Sequence, residues 1–114
     1  MNKVLLALDG NDIAARFDLA PEVLIVSLER DRKSEDVKTV LLPRPSAEML
    51  CRVVTAENVG TVVCGGIEEE YLEYLSWKNV NVIHSVIGNA ESALKRFTEG
   101  SLKSGDILIE KRKA

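Results

Sequence analysis

Apolar residues fall along this chain in two different rhythms. Val4-Leu5-Leu6-Ala7-Leu8 is a continuous apolar run, stopped by Asp9-Gly10-Asn11-Asp12. A run this short, apolar on both faces and ended by turn residues, predicts a central buried strand. Pro21 precedes a second strand, Glu22-Val23-Leu24-Ile25-Val26-Ser27-Leu28, and Val37 to Leu42 alternates weakly as a third, at an edge. Between these two, Glu29 to Glu35 is almost entirely charged and predicts a turn or loop. No helical pattern separates the three strands, so an antiparallel meander is expected.

The period then changes. Pro43-Arg44-Pro45 breaks the chain, Ser46 offers an N-cap, and Met49, Leu50, Val53 and Val54 recur at helical spacing. Thr61-Val62-Val63-Cys64 predicts a fourth strand, ending at Gly65-Gly66. Glu68, Glu69 and Glu70 open a second helix, where carboxylates complement the positive end of the dipole, and Tyr71, Leu72 and Leu75 continue its apolar stripe. Val80-Asn81-Val82-Ile83-His84 predicts a fifth strand. Asn89 caps a last helix with Ala90, Ala93, Leu94 and Phe97 on one face, and Gly100 ends it as a C′ glycine.

The predicted order is β-β-β-α-β-α-β-α. Strand–helix–strand units require parallel pairing and right-handed crossovers. The fold class expected is therefore α/β: a three-layer α/β/α domain around a mixed five-stranded sheet in the order 3-2-1-4-5. Residues 1–102 are expected to form this domain and 103–114 a C-terminal tail, with Ile107-Leu108-Ile109 reading either as a short extra strand or as part of the tail.

Composition narrows the function. With 114 residues, 46% apolar and 29% charged, the chain has the size and balance of one globular domain. It has only two Phe, two Tyr and one Trp, so its core must be built from Val, Leu, Ile and Ala. The net charge is −3 with both signs interspersed, and Lys111-Arg112-Lys113 is the only basic cluster. That pattern excludes a nucleic-acid surface and reads as a solvated terminus. No apolar run approaches the ~20 residues of a membrane span, and the N-terminus lacks the pattern of a signal peptide. A cytoplasmic protein with reduced Cys51 and Cys64 is expected.

In open sheets with parallel strands, ligands bind where the carboxyl ends of strands meet a switch in strand order. The predicted topology brings three segments there: Asp9-Gly10-Asn11-Asp12, Cys64-Gly65-Gly66 and His84-Ser85. Two glycines allow close backbone approach to a ligand. A Cys64 thiolate would be a soft metal ligand, and His84, the only histidine, a nitrogen ligand. The same residues also read as a buried strand-end cysteine, a tight turn and a hydrogen-bonded histidine. Glu68, Glu69 and Glu70 oppose an anion at the neighbouring helix start. Cys51 reads as a small hydrophobe, and the spacing of the two cysteines and the histidine forms no zinc signature. Asp9 and Asp12 read as turn residues; the carboxylates of a two-metal nuclease would need an acid where Cys64 stands. No nucleophile–base motif is present.

Three stretches together resemble the dinitrogenase iron–molybdenum cofactor biosynthesis family of the NifX, NifY and NifB C-terminal type. They are the opening strand with Asp9-Gly10 followed by Ala15-Arg16-Phe17-Asp18-Leu19-Ala20-Pro21; Val62-Val63-Cys64-Gly65-Gly66-Ile67; and Val80 to Leu102, with Gly88 and a closing Gly100-Ser101-Leu102. The resemblance implies a ribonuclease H-like fold and a non-catalytic domain that binds or carries an iron–sulfur or iron–molybdenum cluster, or its precursor. It further implies proteins that donate and accept the cofactor as partners. Arg16 matches the family arginine and, with Gly65 and Gly66, would hold the anionic cluster; Cys64 and His84 would ligate metal. Asp18 stands where the family usually has glycine. The alternative on the same fold is a metal-free regulatory or protein-interaction module.

Overall fold

The computed structural model describes residues 2–28 and 35–108. The charged turn expected around residues 29–34, Ile109 and the basic Lys111–Lys113 cluster lie outside the described residues. The elements are β1 (Asn2–Asp9), β2 (Asp12–Ile13), a 3-10 turn (Phe17–Leu19), β3 (Glu22–Leu28), β4 (Glu35–Leu41), α1 (Ala47–Ala56), β5 (Thr61–Val63), α2 (Glu69–Trp77), β6 (Asn81–Ile83) and α3 (Ala90–Thr98). The main path of the sheet runs β4-β3-β1-β5-β6. β4 and β3 are antiparallel to their inner neighbours, while β5 and β6 run parallel to β1. This is the expected order for the five main strands. β2 is a sixth strand that the expected order did not contain.

Residue alternation along β1 explains why helices cover both faces. Leu5 and Ala7 point to one side, where they meet Val23, Ile25 and Val62 under Leu50, Val54 and Leu75 of α1 and α2. Val4, Leu6 and Leu8 point to the other, with Val26, Val63 and Ile83 under Ala90 and Ala93 of α3. Val4 to Leu8 are all buried, as a central strand with two covered faces requires.

Local signals fix the helix ends. Ser46 Oγ accepts the Met49 N–H (3.1 Å), and Asn89 Oδ1 accepts those of Glu91 and Ser92 (2.8 and 3.2 Å). Each helix closes with a left-handed residue: Asn58, Asn79 and Gly100, at φ 55°, 63° and 76°. At each the paired bonds of a Schellman turn form, as in Ser101 N–H to Arg96 O and Gly100 N–H to Phe97 O.

Two segments add to the expected fold. After Asp9, Gly10 takes φ 66° and the chain folds back, so that Ile13 pairs with Leu8 and Asp12 with Asp9. Two residues are too few to show a period, which is why β2 leaves no trace in the pattern. Residues 103–108, which the sequence leaves open between a tail and a short extra strand, pack onto the domain, with a parallel bridge between Ile87 and Ile107. Leu102 and Leu108 enter the core beneath α3. Leu108 N–H donates to Ile87 O and Ile87 N–H to Asp106 O. Gly88, at φ 141°, makes this possible, because a Cβ there would stand 2.6 Å from Leu108 Cβ.

Candidate functional site

The parallel register brings the expected loops to one rim. Leu6 pairs with Val63, and Val63 with Ile83, so the segments that follow β1, β5 and β6 leave the sheet side by side. Between them lies a groove of about 430 Å³. Ile13 and Ala15 form one wall, Gly65 and Gly66 the floor, and Ser85, Val86 and Ile87 the other wall.

The two glycines serve the chain's own backbone. A Cβ on Gly65 would stand 2.5 Å from Ala15 O and closer still to Ala14 O. The segment after β2 thus lies directly on Gly65. Gly66 N–H donates to Ala15 O and Phe17 N–H to Gly66 O, both at 2.8 Å, extending the sheet by one parallel bridge between Arg16 and Gly66. The Gly66 amide, expected to face an anion, is therefore engaged by a carbonyl. Gly65 and Gly66 shape the groove.

Cys64 is fully buried, in the layer with Ala14, Phe17, Leu50 and Leu75. Burial pushes its thiol up to about 12. Its sulfur does not line the groove, and a thiolate is disfavoured where it sits; the exposed soft ligand expected at the strand end is replaced by a packed apolar thiol. His84 is half-buried beside it in the register. Its N–H donates to Ser104 Oγ (3.0 Å) and its carbonyl accepts from Gly105 N–H (2.9 Å), so the 103–108 segment holds its backbone. Its Nδ1 lies 2.9 Å from Ser85 Oγ. Ser85 itself is held at φ 60°, an uncommon conformation for serine. With Nδ1–H donating to Ser85, the His84 Nε2 keeps the lone pair that a metal needs.

Arg16 flanks the same rim, directed by its bridge to Gly66. Its Nε and Nη2 donate to the two Asp18 carboxylate oxygens at 3.0 and 2.7 Å. The pair is bidentate, which is the favoured geometry for guanidinium and carboxylate. More than half of the Arg16 side chain remains exposed. An incoming anion thus meets a cation already paired but still reachable. Glu69 and Glu70 occupy the first turn of α2, and neither lines the rim groove. Among the described residues, no three His, Cys, Asp or Glu side chains converge to hold a metal ion, and no helix is long and apolar enough to cross a membrane.

The topology expected from the sequence brings the ends of β1, β5 and β6 to one rim, and the candidates Arg16 and His84 stand beside it. Sequence reasoning missed Ser85 as the histidine's partner and Ser104 as its anchor, a contact across 20 residues that no local pattern announces. A second cavity, about 760 Å³, lies away from this rim, between α1 and α2.

Residues 2–100 match the family model described as dinitrogenase iron-molybdenum cofactor. No curated protein matches the chain. Among solved structures, PH0822 superposes with a TM-score of 0.78 at 21% identity, covering 90% of this chain and 93% of that one. The MJ0327 protein of Methanocaldococcus jannaschii gives 0.73 at 25% identity, over 90% and 94%. The apo form of the orange protein from Desulfovibrio gigas gives 0.71 at 17% identity, over 91% and 92%.

Proposed function

Because the chain belongs to the dinitrogenase iron-molybdenum cofactor family, we propose that it is a non-catalytic carrier for an iron–sulfur or iron–molybdenum-type cofactor or its precursor. The match over residues 2–100 is the observation that supports this most. The proposal places the protein in the cytoplasm, between proteins that donate and accept the cofactor. The cargo is anionic and bulky, and the rim groove of about 430 Å³ has matching features. Ile13, Val86 and Ile87 give the groove apolar walls; Arg16 and His84 follow and precede its lining residues Ala15 and Ser85 in the chain, and in this reading the first supplies positive charge and the second a nitrogen ligand at its edge. In this reading Cys64 packs the strand end and does not ligate.

Anaerobic reconstitution with iron and sulfide tests the reading. Wild type is expected to gain a visible charge-transfer absorption. His84→Ala and Arg16→Gln should weaken it, and Cys64→Ala should retain it. If wild type takes up no iron or cluster, the carrier reading fails. If Cys64→Ala alone abolishes uptake, the assignment of ligands is wrong.

A second reading, a metal-free binding module, draws on the Arg16–Asp18 pair, which already neutralises the cation at this rim. It predicts thermal stability unchanged by chelator and a melting shift with a small anionic metabolite. A screen with no such shift would remove it.

A further inference from the structure

The 760 Å³ cavity is a groove between two helical stripes on the face opposite α3. Glu48 and Arg52 of α1 lie four apart, as do Cys51 and Thr55, and Glu70, Tyr74 and Trp77 of α2 follow one another at spacings of four and three. The floor is apolar. Cys51 and the rings of Tyr71 and Tyr74 line it, and the Thr55 hydroxyl is turned away to bond Cys51 O at 3.0 Å, which leaves its methyl group. Tyr74 is 40% and Trp77 76% exposed, unusual exposure for such large rings unless something covers them. Burial and, after it, Glu70, Glu48 and Glu68 all push the Tyr71 phenol up. The groove lining carries two carboxylates, Glu48 and Glu70, against one cation, Arg52, and is net acidic. Among the described residues, neither Glu48 nor Glu70 has an ion-pair partner. Lys78 already lies over the Tyr74 and Trp77 rings, at 5.8 and 5.1 Å from their centroids, so these rings accept an ammonium group.

We propose that the α1/α2 groove docks a basic amphipathic helix of a partner protein, its apolar stripe on Tyr71 and Tyr74 and its Lys or Arg side chains against Glu48 and Glu70. Helix-in-groove recognition uses such paired stripes. The eight residues from Glu70 to Trp77 span about 10 Å, roughly two turns of the incoming helix.

The probe is a synthetic 14-residue helix of Leu, Ala and Lys, with a control in which each Lys is Glu. Trp77 is the only tryptophan and reports binding by its emission. The Lys peptide is expected to bind saturably and at least about tenfold more tightly than the Glu peptide. Glu48→Gln with Glu70→Gln should weaken it about tenfold, and Tyr74→Ala should do the same without changing net charge. Circular dichroism checks that each variant is folded. Equal affinity for the two peptides overturns the proposal. So does Lys-peptide binding that survives Tyr74→Ala, which marks diffuse attraction, or self-association of the chain that is lost in Tyr74→Ala.

Discussion

Substituting Gly65 with alanine should cost this protein much of its stability, and the reason is purely spatial. Positive φ among the described glycines is confined to Gly10, Gly88, Gly100 and Gly105, so alanine suits the Gly65 backbone. The new Cβ, however, would stand 2.5 Å from Ala15 O, 2.8 Å from Ala15 C and closer still to Ala14 O. Comfortable contact needs about 3.5 Å, so the strand-like segment at residues 14–16 must retreat by roughly 1 Å. That displacement strains the bonds from Gly66 N–H to Ala15 O and from Phe17 N–H to Gly66 O. Losing both is worth about 2 kcal/mol, and overpacking adds about 1–3 kcal/mol. The expected loss is therefore about 3–5 kcal/mol, or about 12–20 °C in Tm for a domain of this size. Urea unfolding followed by circular dichroism measures it. Gly66→Ala is the matched control, since its Cβ would meet Ala15 O at a tolerable 3.4 Å. If the two variants differ by less than about 1 kcal/mol, the packing account of this glycine is refuted.

Other substitutions probe the rim and the scaffold. Asp18→Asn should free the Arg16 guanidinium and tighten molybdate or sulfate binding at the groove by about threefold to tenfold at low salt; isothermal titration showing no gain would mean that Arg16 does not face the anion. Asn89→Ala should destabilise the chain by about 1 kcal/mol through loss of the α3 cap, read by the same urea titration. Stability should fall as pH rises above the ordinary thiol value of 9.0, because Cys51 is pushed up to about 11 and Cys64 to about 12. The sign follows from proton uptake: between 9 and 12 the folded chain keeps protons that the unfolded chain releases, so stability present below 9 is lost on going alkaline. Cys64→Ala should flatten this alkaline decline by up to about 1.4 kcal/mol per pH unit, and an unchanged slope would contradict the burial argument.

The sheet was legible because its signals are local. The unbroken run Val4 to Leu8 could only be a strand covered on both faces, and Ser46, Asn89 and Gly100 mark helix ends by chemistry that acts within four residues. The rim followed from topology. What lay beyond reach depended on contacts distant in sequence. Gly65-Gly66 suggested room for a ligand, and nothing in the pair says that the chain itself fills the space. Cys64 had two readings: its own residue pattern favours a buried core thiol and the family resemblance a ligand, and packing with Phe17, Leu50 and Leu75 agrees with the first. The docking of Leu108 under α3 and the α1/α2 groove likewise arise from how elements settle against one another, after their own patterns are spent.

The Cys64 thiol is shut inside the layer beneath α1 and α2. An alkylating reagent or peroxide in water therefore finds it only when that layer parts. The rate at which native protein is labelled at Cys64 becomes a clock for such openings, read by mass spectrometry without denaturant. Cys51 stands instead at the floor of the α1/α2 groove. A bound cargo would slow labelling at the first and a seated partner at the second, so the two sulfurs make the molecule its own gauge of occupancy.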